Sequence, residues 1–161
     1  MEKNMDKNQD NSASGSIFRD AMAEREILLI LPSSFEYIRV AIRAVESVAL
    51  YLGLDQDTLN ELVISVVEAC NNSIEHGYSC NPGGEVRLSI RFSGRSIEIH
   101  IRDRGRGFDI GKVKEYNPMD QAELFNYRGR GIFMMRKFMD DIEFWRDDDG
   151  AMNVLMTKRI S

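Results

Sequence analysis

The chain has 161 residues, which is enough for one domain with its own core and too few for two ordinary domains. Hydrophobic residues make up 43% of it and charged residues 29%, proportions typical of a soluble globular protein. The net charge of -5 and the scattered Lys and Arg residues argue against direct binding to nucleic acid, which needs clustered positive charge.

The start of the chain is polar and has no apolar signal-peptide core. No apolar stretch approaches the roughly 20 residues that span a bilayer. We therefore expect a cytoplasmic protein that does not enter a membrane. Residues 1–22 are rich in Asn, Asp, Lys and Ser and are predicted to form a disordered tail, with the ordered domain in residues 23–161.

The first predicted elements are a strand and a helix. The apolar run 26–31 is short and is followed by a proline, which predicts a first strand. Ser33 or Ser34 then caps a helix that stops at Gly53. Its inward face is expected to contain the apolar residues at helical spacing, namely Phe35, Ile38, Ile42, Val45, Val48 and Ala49.

A second helix is predicted from Asp55 or Asp57 to Gly77. Its apolar face contains Leu59, Leu62, Val63, Val66, Cys70 and Ile74. Its polar face contains Glu61, Ser65, Glu68, Asn72, Glu75 and His76. Glu68 and Asn72 lie one turn apart and point the same way, so their oxygens could hold a hydrated Mg²⁺ and orient a nucleophile. This helix alone favours the plainer interpretation, a solvated polar face.

A hairpin is predicted next, after a loop rich in Gly and Pro. Residues 86–92 and 97–101 both alternate between apolar and polar side chains, as strands with one buried face do. His100 lies on the outward face of the second strand, where a solvent-facing residue is a commoner explanation than a ligand. About twenty aperiodic residues follow, from Asp109 to Arg128, and such a stretch is either a functional lid or disordered.

The last predicted elements are a helix that begins at Gly129 and a closing hairpin around the turn at residues 147–150. The order of elements is strand, two helices, two strands, lid, helix and two strands. This order predicts an α+β two-layer sandwich, with helices on one face of a mixed, mostly antiparallel sheet.

Two glycine motifs add to the polar pair of the second helix. Asp103 is followed by Gly105 and Gly107 at a strand end, and Gly129 and Gly131 stand at a helix start. Glycines allow backbone to approach a ligand closely, and a helix N-terminus offers N–H groups to phosphate. A carboxylate, which only accepts hydrogen bonds, suits the exocyclic amine of adenine. Each motif alone is explained as well by turn glycines, whereas chance seldom produces all three in this order.

Together these segments resemble the motifs of the GHKL ATPases. The segments read EACNNSIEHGY (68–78), DRGRGFD (103–109) and RGRGIFMM (128–135). Within the GHKL ATPases they are most similar to the bacterial anti-sigma factor serine/threonine kinases. The ending His76-Gly77-Tyr78 distinguishes this branch from sensor histidine kinases and gyrase-like ATPases. The resemblance extends from about Glu26 to Lys158.

The resemblance implies the Bergerat, or histidine-kinase-like, ATPase fold, with ATP and Mg²⁺ as cofactors. Glu68 would be the catalytic base that takes the proton from a protein hydroxyl. Asn72 would bind the Mg²⁺ that bridges the phosphates, and Asp103 would recognise adenine. His76 would either shape the pocket or end the helix.

The glycine motifs would complete the nucleotide site. Gly105 and Gly107, with the following Phe108, would form the pocket floor. The phosphates would be held beneath a lid spanning residues 109–128 by a group that contains Arg128, Gly129, Arg130, Gly131 and Ile132. Arg106 departs from the proline that is most often expected between the two glycines, which makes the rigidity of that loop an open question.

The implied function is that of a partner-switching kinase. Such a protein binds and inhibits a sigma factor and phosphorylates a Ser or Thr of a small antagonist protein. The resemblance also implies a homodimer formed through the first strand and first helix. Two alternatives remain open at this stage: a non-catalytic module that nucleotide only stabilises, and a plain ATPase or a detached ATP-binding domain of a sensor kinase.

Overall fold

The computed structural model describes residues 25–93, 95–107 and 129–160. The predicted tail, the predicted lid, Phe108 and Arg128 lie outside these residues. Within them the elements are, in chain order, β1 (Arg25–Pro32), α1 (Ile38–Leu52), α2 (Gln56–Asn72), β2 (Glu85–Ser93), β3 (Ser96–Asp103), α3 (Arg130–Phe138), β4 (Asp141–Arg146) and β5 (Met152–Arg159). None of the helices in this part of the chain is long and apolar enough to cross a membrane.

The strands form one five-stranded sheet in the order β1-β2-β3-β5-β4. Each pairing between the described strands is antiparallel. In the centre of the sheet, Leu88 of β2 lies opposite Ile101 of β3, which in turn lies opposite Val154 of β5. The predicted α+β sandwich with a mostly antiparallel sheet is therefore confirmed, and β3 and β5 bring the ends of distant segments together.

The core lies between the three helices and one face of the sheet. On β3 the alternate residues Ile97, Ile99 and Ile101 are at most 1% exposed, while the residues between them are partly exposed. From α2, Leu62 and Val66 are fully buried against this face. The period-two pattern of the strands and the helical period of α2 thus match one shared apolar layer.

The start of α1 differs from the prediction. A 3₁₀ turn at Phe35–Tyr37 precedes the α-helix, which begins at Ile38. Phe35, expected on the inward face, is 46% exposed, so that expectation is wrong. The tighter 3₁₀ turn rotates its side chains away from the face that the α-helix buries. The end of α1 is as predicted, because Gly53 takes the left-handed conformation with a φ of 68°.

The predicted bounds of α2 are confirmed at both ends, although its last turn has another geometry. The Asp55 side chain caps the helix by accepting a hydrogen bond from the Thr58 amide at 2.8 Å. After Asn72 the chain continues as one π-helical turn, Ser73–Gly77. Ser65, expected on the polar face, is fully buried and donates to the Glu61 carbonyl at 2.8 Å, one turn earlier.

Candidate functional site

Three segments meet at one end of the molecule: the end of α2 with its π-helical turn, the glycine loop (Asp103–Gly107), and the start of α3. Two close approaches define the meeting point. A Cβ atom on Gly77 would lie 2.7 Å from Asp103 Oδ1, and one on Gly131 would lie 2.6 Å from Glu68 Oε2. These segments are far apart in sequence, and the sheet order brings them together.

The Asp103 side chain is fixed at the start of the glycine loop. It is only 5% exposed. Its Oδ1 accepts a hydrogen bond from the Gly105 amide at 3.0 Å, and the Ser73 hydroxyl donates a second hydrogen bond to the carboxylate. Burial raises the pKa of Asp103, while these two bonds and the nearby Arg146 guanidinium act to lower it. Donors are thus arranged to support a buried carboxylate that accepts hydrogen bonds.

Backbone contacts hold the glycine loop against the π-helical turn. The Arg106 amide donates to the Gly77 carbonyl at 2.7 Å. A Cβ atom on Gly105 would lie 2.2 Å from the carbonyl carbon and oxygen of Gly77. Glycine is therefore required at Gly105 by close approach, and at Gly107 by a φ of 61°.

Tyr78 adds a side-chain tie to the same loop. Its hydroxyl donates to the Glu85 carbonyl at 2.7 Å and accepts from the Arg104 amide at 2.9 Å. One phenol group therefore connects the end of the π-helical turn, the start of β2 and the backbone beside Asp103.

Glu68 and Asn72 lie on α2 beside the start of α3. Burial raises the pKa of the half-buried Glu68, the Arg130 cation lowers it, and the Glu75 carboxylate raises it further. Asn72 Nδ2 is buried and has no hydrogen-bond partner among the residues that the structure describes. A buried polar atom without a partner is unusual in a folded protein and commonly marks a place where a ligand binds.

The start of α3 is arranged differently from that of α2. Gly129, in the left-handed conformation with a φ of 87°, precedes the helix, and within the described residues no side chain caps it. The Phe133 amide donates to the Gly129 carbonyl at 3.0 Å, so the amides of residues 130–132 come before this helical bond. No acidic residue occupies the first turn, and Arg130 is exposed there. These features favour an anion at this helix end.

The structure separates the predicted site residues into two groups. Those brought together are Glu68, Asn72, Asp103, Gly105, Gly107, Gly129, Arg130 and Gly131. The Ile132 side chain instead belongs to the hydrophobic core, so only its backbone faces the helix start. His76 is exposed on the π-helical turn. Phe108 and Arg128, which were also predicted to bind nucleotide, lie outside the described residues.

Three residues of the site were not singled out from the sequence: Ser73, Gly77 and Arg146. Ser73 and Gly77 stand inside a quoted motif, where their neighbours drew the attention. Arg146 gave no local signal, because its contact with the Arg106 carbonyl spans 40 positions in the sequence.

Comparison with known proteins agrees with this geometry. The family model of the histidine kinase-like ATPase domain matches residues 31–158. The chain is 32% identical to the serine-protein kinase RsbW of Oceanobacillus iheyensis over 135 residues, which cover 81% of this chain and 84% of that protein. It is 30% identical to RsbW of Bacillus thuringiensis over 145 residues, 86% of this chain and 89% of the relative.

Solved structures show the same fold. The crystal structure of the RsbU and RsbW domains of a Mycobacterium tuberculosis protein matches 84% of this chain with a TM-score of 0.61 and 15% identity, and the match spans 32% of that longer chain. The SiaB-SiaC complex from Pseudomonas aeruginosa matches 96% of this chain and all of the solved chain, with a TM-score of 0.51 and 9% identity. Together with the family model, these matches confirm the resemblance and the fold that the motifs predicted.

Proposed function

The chain belongs to the histidine kinase-like ATPase family, and to the serine-protein kinases named RsbW within it; from this premise we propose how it acts. The proposed reaction moves the γ-phosphoryl group of ATP to a Ser or Thr hydroxyl of a small partner protein. One observation carries the proposal: the half-buried Glu68 carboxylate lies directly beside the uncapped start of α3, where a Cβ on Gly131 would be 2.6 Å from its oxygen. A base and an anion site therefore adjoin.

Adenine recognition is assigned to Asp103. The exocyclic amine of adenine needs an acceptor, and an ionised carboxylate is acceptor-only. The hydrogen bonds from the Ser73 hydroxyl and the Gly105 amide orient the carboxylate before a ligand arrives. Gly77 and Gly105 support this role, because a side chain at either position would collide with Asp103 or with backbone.

Phosphate binding is assigned to the start of α3. The backbone amides of Arg130, Gly131 and Ile132 precede the Phe133 hydrogen bond and can donate to phosphate oxygens. The Arg130 side chain adds a positive charge in the same first turn. Gly131 keeps this backbone open, since any side chain there would displace Glu68.

The residues present also fit a magnesium ion held mainly by the nucleotide. Leaving a buried carboxamide unpaired costs roughly 1–3 kcal/mol, a cost that a ligand at Asn72 would offset. In the described part of the chain no group of three or more His, Cys, Asp or Glu side chains could hold a metal by itself. A single carboxamide oxygen together with phosphate oxygens is a usual Mg²⁺ environment. Magnesium bound there would neutralise charge on the transferring phosphoryl group.

Glu68 is proposed as the general base. The acceptor hydroxyl oxygen bonds to the γ-phosphorus as its proton passes to Glu68, the bond to the β–γ bridging oxygen breaks, and ADP leaves. Burial and Glu75 raise the pKa of Glu68, which strengthens it as a base, while Arg130 acts to keep it ionised. A positioned base contributes about 10²–10⁴-fold in rate, and the rest of the catalysis is positioning and charge neutralisation.

The physiological role proposed is partner switching in the cytoplasm. The chain would bind and inhibit a sigma factor and phosphorylate a small antagonist of that inhibition. A phosphate placed in a contact surface adds charge that disrupts the contact, so phosphorylation would release the antagonist. The resemblance of the motifs and the kinship with the RsbW kinases support this role.

A homodimer is also proposed, formed through β1 and α1. β1 is at one edge of the sheet, and its Leu28 and Ile30 are 55% and 52% exposed. On α1, Leu50 and Tyr51 are 83% and 61% exposed. An apolar edge strand invites pairing. Sedimentation should give twice the chain mass for the protein and a monomer for Leu28→Lys; a monomeric wild-type protein would contradict the dimer.

The test of the proposed function is protein-directed phosphate transfer. The protein is incubated with labelled ATP, Mg²⁺ and extract of its own source cells, beside the Glu68→Gln variant. The expected result is a labelled band carrying phosphoserine or phosphothreonine that is absent with the variant. ATP binding without any transfer would instead identify a nucleotide-stabilised module that sequesters a partner.

A further inference from the structure

The β4–β5 turn (residues 147–150) lies against the glycine loop, on the side away from the π-helical turn. Asp149 accepts from Arg102 at 2.7 Å and from Arg104 at 3.1 Å, and these two arginines flank Asp103 in the sequence. Asp147 accepts a further bond from Arg102 Nε at 2.8 Å. The acidic turn thus holds the residues on both sides of the proposed adenine-binding carboxylate.

Arg146, the last residue of β4, reaches further along the glycine loop. Its Nη2 donates to the Arg106 carbonyl at 2.6 Å, and its Nη1 donates to the Gly150 carbonyl at 2.9 Å. One planar guanidinium therefore bridges the glycine loop and the β4–β5 turn, a geometry that a lysine ammonium cannot reproduce. A Cβ atom on Gly107 would lie 2.3 Å from Nη2, so the guanidinium fills the space beside that glycine.

This bridge answers the question raised by Arg106. A proline between the two glycines would limit the loop through its own fixed φ angle. Arg106 has no such restriction, and ordering a free backbone residue is costly in entropy. In this chain the Arg106 amide is held by the Gly77 carbonyl at 2.7 Å and its carbonyl by Arg146. External hydrogen bonds on both sides take the place of internal stiffness.

We propose that Arg146 and the β4–β5 turn are positioning elements of the nucleotide site, which hold the glycine loop in the conformation that receives adenine. This inference rests on the proposed ATP-binding function and adds a residue that the motifs do not contain. Arg146 touches the loop backbone and needs no contact with the nucleotide. Its influence should therefore be limited to the adenine end of the ligand.

The test compares two ligands on variants of the full chain. Dissociation constants for ATP and for inorganic tripolyphosphate, both with Mg²⁺, are measured by calorimetry for wild type, Arg146→Ala and Arg146→Lys. Arg146→Ala should weaken ATP binding about three- to tenfold, because the bonds lost are exposed and charge-assisted. Tripolyphosphate binding should not change, and Arg146→Lys should recover only part of the lost ATP affinity.

Arg43→Ala is the matched control, since Arg43 is an exposed arginine with a carboxylate partner, Glu46, at 2.6 Å on a distant helix. It should bind both ligands like wild type. Unchanged ATP affinity in Arg146→Ala, or an equal loss for both ligands, would overturn the positioning role. Full recovery by Arg146→Lys would also overturn it, because charge alone would then suffice.

The same measurements separate this inference from the proposed function. If wild type fails to bind ATP, or if Asp103→Asn binds it equally well, the proposed adenine site is wrong. If wild type binds ATP, Asp103→Asn loses it, and Arg146→Ala is unchanged, only the positioning role fails. Hydrogen exchange supplies a second readout, since the Arg106 amide should exchange faster in Arg146→Ala than in wild type.

Discussion

The two halves of the proposed nucleotide site are held in different ways. The adenine half, made of the π-helical turn and the glycine loop, is fixed by backbone contacts such as that of the Arg106 amide with the Gly77 carbonyl. The phosphate half consists of Glu68, Asn72 and the start of α3. It contains a buried carboxamide nitrogen without a partner among the described residues and a carboxylate between opposite charges.

This difference matches the tasks assigned to the two halves. Recognition of a rigid base benefits from a pocket that is ordered beforehand. Phosphoryl transfer instead needs donors and ligands that remain available until the phosphates and Mg²⁺ arrive. A substitution in the adenine half should therefore remove binding, and one in the phosphate half should mainly remove transfer.

The largest effect is expected for Gly105→Ala. Its Cβ would lie 2.2 Å from the Gly77 carbonyl, and backbone at both positions cannot move aside cheaply. We expect a loss of measurable ATP binding and a decrease in the free energy of unfolding of about 1–3 kcal/mol. Calorimetry and denaturant titration measure the two quantities.

Gly83→Ala is the control for Gly105→Ala. A Cβ there would approach only the Asn81 side-chain oxygen, at 3.2 Å. Its ATP affinity should equal that of wild type. Wild-type affinity in Gly105→Ala would show that the glycine loop does not form the pocket floor.

Gly131→Ala sharpens the comparison from the other half. The added Cβ would meet the Glu68 carboxylate at 2.6 Å, and the end of a flexible side chain can move. ATP affinity should stay within about threefold of wild type, whereas transfer should fall roughly 10²-fold, the usual cost of a base displaced by about 1 Å. Loss of binding without a separate loss of transfer would contradict the assignment.

Asn72→Leu should separate stability from function. The substitution removes the buried Nδ2 atom that has no partner among the described residues. The free energy of unfolding should be unchanged or higher by about 1 kcal/mol, while ATP binding should lose its dependence on Mg²⁺. Calorimetry with and without Mg²⁺ tests this, and a wild-type magnesium response in the variant would exclude Asn72 as the ligand.

The smallest expected effect concerns pH. Glu68 acts only when ionised, and burial raises its pKa, so transfer should increase with pH through that pKa and then level off. The Glu75 carboxylate contributes to the upward shift, so Glu75→Gln should move the rising limb to lower pH. Rapid-quench measurement at saturating ATP gives the profile. A limb that moves to higher pH, or does not move, would contradict this account of the charges.

Periodicity predicted most of the fold because each element has one apolar face. The run at β1, the α2 face around Leu62 and Val66, and the alternation of β3 all follow from a single buried layer. Phe35 was misplaced because apolar character does not reveal whether the first turn is 3₁₀ or α. Ser65 was misplaced because its bond to the Glu61 carbonyl satisfies the hydroxyl inside the core.

The site was predictable where its chemistry is local. Glu68, Asp103 and Gly131 are visible as residue types in motifs, and the structure brings these motifs together. The role of Gly77 depends on Gly105, 28 positions later in the chain, and that of Arg146 depends on Arg106. Such contacts arise from the order of strands in the sheet, which local patterns do not specify.

The central claim is that binding and transfer depend on separate halves of one site. The most direct measurement takes the ATP dissociation constant and the transfer rate of Glu68→Gln and Asp103→Asn, beside wild type and with the phosphate acceptor that the labelling experiment identifies. We predict that Glu68→Gln binds ATP like wild type and transfers about 10²–10⁴-fold more slowly. Asp103→Asn should bind ATP weakly and regain much of its transfer rate at saturating ATP. Equal transfer by Glu68→Gln and wild type, or unchanged ATP binding by Asp103→Asn, would contradict the account.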